Sequence, residues 1–270
     1  MRMISSLGNR LSKKSILLVG AAGNLGPEWA RALLGEGALV YAVGLETRDN
    51  PELARLAREF PERLLCGDLD VTQDLTARTI ENALSQPEGA LRLDGVVLNA
   101  GIDSPPGANR SEVSSFDIRE WERIFRVNVF GAVNVLSAVV DVMGNPSAAV
   151  AVGSIYGLIS PRVDLYDHFF EGAGAFKHPA YGASKAALLS VVRQFGTHLA
   201  PRGIRVNALT LGGVEGGQDT AFVEKFVNQV PQNRMVPLDE ISGAMVFLLS
   251  DDSLSMNSQN LVIDGGYSAW

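Results

Sequence analysis

Ile16-Leu17-Leu18-Val19-Gly20-Ala21-Ala22-Gly23-Asn24-Leu25-Gly26-Pro27 carries the strongest fold signal in the chain. Four consecutive aliphatic residues read as a strand buried on both faces. They run straight into a turn with glycine at positions 20, 23 and 26, and Pro27 opens a segment where Trp29, Ala30, Leu33 and Leu34 recur at helical spacing. A strand, glycine turn and helix in this order let a pyrophosphate approach backbone N–H groups at the helix N-terminus, where the helix dipole also favours negative charge. Dinucleotide binding at Gly20, Asn24, Leu25 and Gly26 is therefore expected. A glycine-rich βα turn alone has a high false-positive rate, so the weight falls on what surrounds it.

Working outward, the same alternation repeats to the C-terminus. Short apolar runs at 16–19, 39–43, 64–66, 95–98, 148–152, 204–208 and 261–263 predict strands, and stretches at 27–34, 52–60, 74–84, 117–143, 181–199 and 239–249 carry apolar residues at helical spacing. Repeated βα units predict an α/β fold, a Rossmann-like doubly wound parallel sheet of about seven strands flanked by helices. Residues 1–14 read as a polar lead-in and 15–270 as a single dinucleotide-binding catalytic domain, with no internal repeat or low-complexity linker.

Composition narrows the partners. A net charge of −7 disfavours nucleic acid and anionic membrane, which attract basic surfaces. Cys66 is the only cysteine, so an intrachain disulfide or a thiolate metal cluster is excluded, and a reducing, cytoplasmic setting is expected. No uninterrupted apolar run of membrane-spanning length stands out. His168 and His178 are too far apart in sequence to form a metal-ligand motif, and no metal is expected.

Tyr181 and Lys185 open an amphipathic helix four residues apart, which places both side chains on one face. Hydride transfer to or from a carbinol carbon needs a proton to leave or reach the oxygen, and a phenol does this if its pKa is lowered. A neighbouring ammonium is expected to lower it, and an oxidised nicotinamide to push the same way. The bland alternative is the start of a surface helix. Against it stand Asn99-Ala100-Gly101 after the fourth strand and Gly153-Ser154 after the fifth, both at strand ends where open parallel sheets bind ligands.

From Lys14 to Trp270 the chain resembles a short-chain dehydrogenase/reductase. The resemblance rests on Gly20 to Gly26, on Asp70-Val71 for the adenine contact, on Asn99-Ala100-Gly101, and on Asn128, Ser154, Tyr181 and Lys185 at the family's four active-site positions. It implies that Tyr181 is the general acid/base, Ser154 bonds the reacting oxygen, Lys185 holds the nicotinamide ribose, and Asn128 fixes a water in a proton relay. Gly212 and Val214 fall where the chain after the sixth strand meets the cofactor. A homodimer or homotetramer is implied through helices 117–143 and 181–199.

Departures cluster at cofactor positions: Val19 for Thr, Asn24 for Gly, Gly44 for the ribose-binding acid, Leu98 for Asn, Leu211 for Pro, Gly216 for Thr and Ser258 for Gly. Glu46 stands in for the missing acid, while Arg48 would meet a 2′-phosphate if its loop folds back. With no basic residue in the glycine turn, NAD(H) is preferred over NADP(H). Thr220 is a candidate replacement for the missing threonine.

Between Ser154 and Tyr181 lies a long insert, 158–179, bearing Arg162, Asp164, Tyr166, Asp167, His168, Glu171, Lys177 and His178. It suits a polar, sugar-like or sugar-nucleotide substrate, as in the bacterial surface-sugar and flagellin-modification oxidoreductases that the chain resembles, though a plain surface loop explains it equally well. The alternatives are a 3-oxoacyl reductase, a polyol dehydrogenase or a catalytically silent nucleotide-binding scaffold.

Overall fold

A computed structural model describes residues 8–104, 117–169 and 177–270. Seven strands form one parallel sheet: β1 Ser15–Val19, β2 Leu39–Gly44, β3 Leu64–Asp68, β4 Leu93–Leu98, β5 Met143–Ser154, β6 Ile204–Leu211 and β7 Asn260–Ile263. Their order across the sheet is β3-β2-β1-β4-β5-β6-β7. Parallel strands need crossovers, and these cover both faces with helices. Ile16, Leu18, Val40 and Ala42 accordingly pack on one side with α1 (Gly26–Gly35) and α8 (Leu238–Leu249), through Leu33, Ile241 and Met245. Leu17, Val19, Tyr41 and Val43 share the opposite core with Val135, Leu136, Leu188 and Val192.

The remaining α-helices among the described residues are α2 Pro51–Glu59, α3 Ala77–Ala83, α4 Ile118–Phe125, α5 Ala132–Val139, α6 Ala180–Leu199 and α7 Thr220–Val227. Three expectations need correction. Helix 117–143 is not one regular helix: α4 and α5 are joined by a π-helical turn, Arg126–Gly131, and Met143 already belongs to β5, where it pairs with Leu93. Helix 74–84 starts only at Ala77, because the Thr76 and Thr79 hydroxyls reciprocally cap it. α7 lies in a stretch with no predicted element. Its apolar stripe spans only two turns, and it is fixed by the Asp219 cap on the Phe222 N–H (3.1 Å) and by burial of Phe226.

By length and composition alone Ile118–Val142 would cross a membrane, its most apolar window having a mean hydropathy of 1.5. In the fold this helical run packs along α6 and against β4.

Two glycines in the first turn are fixed by space. Gly20 has φ +77°, and a Cβ there would stand 2.5 Å from the Ala100 nitrogen; one on Gly26 would stand 2.1 Å from the Ala21 carbonyl oxygen. The first lets β1's turn lie against β4, and the second lets α1 pack down on that turn.

The lead-in is also less passive than expected. Leu11 is fully buried in the α1 core, its N–H bonds the Glu36 carbonyl (3.0 Å), and Lys14 pairs with Asp251. Leu11→Ala should lower the unfolding free energy by about 2–5 kcal/mol in urea denaturation, the range for an emptied leucine site; a passive lead-in would leave the curve unchanged.

Candidate active site

The strand order reverses between β1 and β4, so crossovers leave in opposite directions and a crevice opens beyond the carboxyl ends. A groove of about 720 Å³ lies there. Gly20, Asn24 and Leu25 line it from the β1 turn, Glu46 from β2, Asp70 and Val71 from β3, Asn99, Ala100 and Gly101 from β4, and Gly212 and Val214 from β6. Gly26 does not line it and serves the packing of α1 instead. The turn is held in place by Asn99, whose Nδ2 donates to the Gly20 carbonyl (2.8 Å) while its Oδ1 accepts from Trp29 Nε1 (3.1 Å). Among the described residues no side chain caps α1, so the N–H groups of its first turn could hold an anion in the groove.

Several cofactor-side substitutions acquire reasons. Asn24 is not among the residues of positive φ, so this departure from glycine needs no left-handed backbone. Ser258 does carry that strain, at φ +59°. Glu46 lies at φ +52°, and this turn of the backbone brings it into the groove that Gly44 leaves without an acid. Arg48 points elsewhere, its guanidinium donating to the Ala83 carbonyl (2.6 Å). Thr220 sits on the first turn of α7, outside the groove lining. Beside Gly216 the side chain is that of Gln218, which accepts from the Gly216 N–H (2.9 Å) and donates to the Val214 carbonyl (2.7 Å). No sequence motif marks Gln218. Asp70 accepts from the Thr72 N–H and hydroxyl, bonds that hold its carboxyl below the usual range.

The four residues of the expected active site come from three elements. Ser154 ends β5, and Tyr181 and Lys185 face the groove from the first turns of α6. Lys185 Nζ is 5.8 Å from the Tyr181 ring centroid and donates to the Val152 carbonyl (2.8 Å). Asn128 lies in the π-helical turn, a local widening frequent at functional sites. It is fully buried and outside the groove lining; its amide accepts from the Ile102 N–H (2.8 Å) and donates to the Ile102 carbonyl and Ser184 Oγ (both 2.9 Å). Gly101 separates Asn128 from Lys185, since a Cβ there would be 3.3 Å from Lys185 Nζ and 3.5 Å from Asn128 Oδ1.

The electrostatics differ from the expected lowered phenol. Burial and the charge of Asp103 push Tyr181 up to about 12, against a hydrogen bond with Ser154 that pulls it down. Lys185, only 5% exposed, is pushed down to about 8 by burial. Desolvation thus decides both shifts, outweighing the Ser154 bond at Tyr181 and the charge of Asp103 at Lys185.

The described part of the insert, 158–169 and 177–179, is not a solvated loop. Leu165 and Tyr166 are buried with Phe226 and Met235, and short 3₁₀ turns at Val163–Leu165 and Asp167–Phe169 dock on α7 through Asp167–Lys225 and His168–Asp219 pairs. Arg162 and Asp164 pair with each other, exposed. His178 is buried against the Trp121 ring, and Glu171 lies outside the described residues. A second cavity of about 440 Å³ opens beside the groove, with Ser154 and Tyr181 at the junction and Tyr156, Tyr166, Phe169 and Phe222 among its walls. Lys177 and Asp103 form an ion pair in its lining.

Residues 20–268 match a family model described as enoyl-(acyl carrier protein) reductase. The chain is 30% identical to trans-4-hydroxycyclohexanecarboxylate dehydrogenase of Sinomonas cyclohexanicum, over 98% of this chain and 97% of the relative. It is 29% identical to cyclopentanol dehydrogenase of Comamonas sp., over 96% and 99%. A gluconate 5-dehydrogenase from Burkholderia cenocepacia, solved with NADP and tartrate, superposes with a TM-score of 0.78 at 26% identity, covering 98% of this chain and 99% of that one. The chain belongs to the short-chain dehydrogenase/reductase family. It is an NAD(P)-dependent oxidoreductase that interconverts an alcohol and a ketone.

Lys185's depressed pKa has a consequence for stability. Below about pH 8 the lysine is charged in both the folded and unfolded states, and its burial is a standing cost. Between about 8 and its ordinary value of 10.5 the unfolded chain binds more protons than the folded one, so stability from this group rises with pH. Tyr181, raised from 10.0, works in the opposite direction only above 10. In urea denaturation the stability difference between wild type and Lys185→Met should therefore move in the wild type's favour as pH is raised from about 8 to about 10.

Proposed function

We propose that the protein oxidises or reduces a secondary alcohol or ketone carried on a small polar ring, a sugar or sugar-like cyclic alcohol, with NAD(H) as cofactor. The observation that carries this reading is the junction of groove and cavity, where Ser154 and Tyr181 line both. Cavities of this size hold ligands of small-molecule dimensions. Aromatic walls suit the apolar face of a ring, and the Tyr156 and Tyr166 hydroxyls (2.8 Å apart) with the Lys177–Asp103 pair supply polar partners at its rim. The ring alcohols and the sugar acid named for the relatives agree with it. In a sugar nucleotide, the sugar would occupy the cavity and the nucleotide would extend from its mouth.

In the oxidative direction Tyr181 takes the proton from the substrate hydroxyl, while Ser154 hydrogen-bonds the same oxygen and fixes which carbon faces the groove. Bound nicotinamide supplies the hydride acceptor or donor, and in its oxidised form a positive charge that favours the phenolate. Lys185 holds the ribose hydroxyls and stabilises that phenolate. Asn128 acts by fixing the backbone at Ile102, and through Gly101 the wall beside Lys185. The uncapped α1 turn holds the pyrophosphate, and Asp70 with Val71 the adenine end.

Glu46 is the ground for NAD(H). Its carboxylate suits a ribose 2′-hydroxyl and repels a 2′-phosphate, and Arg48 is turned away. Glu46→Gln should bring the affinities for NADPH and NADH closer together, read by titrating nicotinamide fluorescence.

A panel of cyclic alcohols, aldonic acids, sugars, sugar nucleotides, polyols and acyl thioesters tests the substrate class. Turnover of ring alcohols or sugars is expected; turnover confined to acyl thioesters would overturn the reading. Tyr181→Phe should lower kcat on the best substrate by about 10²-fold or more while leaving NADH fluorescence titration intact, and surviving activity would remove Tyr181 from the mechanism.

A further inference from the structure

The insert before α6 delivers a second lysine to the catalytic tyrosine. Lys177 Nζ stands 5.4 Å from the Tyr181 ring centroid, 5.5 Å from that of Tyr166 and 5.9 Å from that of Tyr156. Its side chain is only 7% exposed, and its ion-pair partner is the Asp103 carboxylate. A buried ammonium is costly unless paired, and one carboxylate with three ring faces forms a cage that compensates it. All four groups of this cage line the cavity: Tyr156 follows β5, Tyr166 lies in the insert, Tyr181 is on α6, and Asp103 projects from the segment after β4 that Asn128 anchors at Ile102.

The groups facing Tyr181 come from every side. Lys185 lies on its own helix, Ser154 at the end of β5, Asp103 beyond β4, and Tyr156, Tyr166 and Lys177 in the chain between Ser154 and α6. Asp219 lines the far side of the cavity, held by His168 and by its capping bond to α7. Among the described residues Asp103 is the only carboxylate whose charge acts on Tyr181, and it favours the protonated phenol. Left alone, it would oppose formation of the proton acceptor needed for alcohol oxidation.

We propose that Lys177 is a positioning residue for proton transfer: it neutralises Asp103 and places a second ammonium at the Tyr181 ring, keeping the phenolate within reach. Tyr181 is thereby flanked by two lysines, Lys185 from its own helix and Lys177 from the insert. The inference rests on the reading of Tyr181 as the proton-transfer group, but its test follows the phenol itself and needs no substrate.

The test is the phenolate absorbance of Tyr181, taken as the difference from a matched Tyr181→Phe protein and titrated with saturating NAD⁺ and without it. Lys177→Met should raise the Tyr181 midpoint by about one pH unit or more, the size expected from an opposite charge at this range. At a fixed pH below the midpoint that is about a tenfold loss of phenolate. Lys177→Arg should restore the wild-type midpoint, and Asp103→Asn should lower it. An unchanged midpoint in Lys177→Met, or an equal rise in Lys177→Arg, would overturn the proposal, because a purely structural lysine moves stability without moving this titration. If Lys177→Met does not fold by circular dichroism, Asp103→Asn decides alone: a lowered midpoint supports the proposal and an unmoved one overturns it. Retained turnover in Tyr181→Phe would instead be the failure of the underlying catalytic reading, and the two results are separable.

Discussion

Everything in this molecule depends on the parallel pairing of its seven strands. Parallel neighbours cannot be joined by hairpins, so each connection crosses a face of the sheet, and both faces must be apolar to receive it. The alternation of Ile16 and Leu18 toward one core with Leu17 and Val19 toward the other is that requirement written into β1. Parallel pairing also brings every strand's carboxyl end to one rim, and the reversal of order between β1 and β4 parts the crossovers there. Gly20 permits the two central turns to touch, and Asn99 bonds them together. Groove, junction and cavity are consequences of that rim.

The energetics of the site follow from its burial. Lys185 and Tyr181 are each less willing to carry charge than the free side chains: below about pH 8 the charged, buried Lys185 costs stability, whereas Tyr181, a neutral phenol there in both states, does not. Among the described residues Asp103 is the carboxylate whose charge acts on both Tyr181 and Lys185, and it is ion-paired with Lys177. The described part of the insert is packed into the structure through Leu165, Tyr166 and the pairs to α7.

Periodicity made the sheet legible, because strands buried on both faces are short continuous apolar runs and the helices between them carry one apolar stripe. It failed where a local bond outweighs a stripe. The Thr76–Thr79 capping box delays α3, the Asp219 cap creates the two-turn α7, and Met143 leaves its apolar helix to pair with Leu93 in β5. Leu11 was hidden because one leucine among polar neighbours has no period.

The α/β class, the seven strands, the glycine turn and the family are legible from residue order, since these rest on residue types at short spacings. Tyr181 and Lys185 meet because four residues make one helical turn. Tertiary packing, by contrast, set Glu46 in the groove and Arg48 out of it, placed Gln218 rather than Thr220 beside Gly216, and joined the Asn128 side chain to the Ile102 backbone. It alone brings Asp103 and Lys177, 74 residues apart, together beside Tyr181. Contacts across that much chain are set by how the crossovers pack, and no local spacing encodes them.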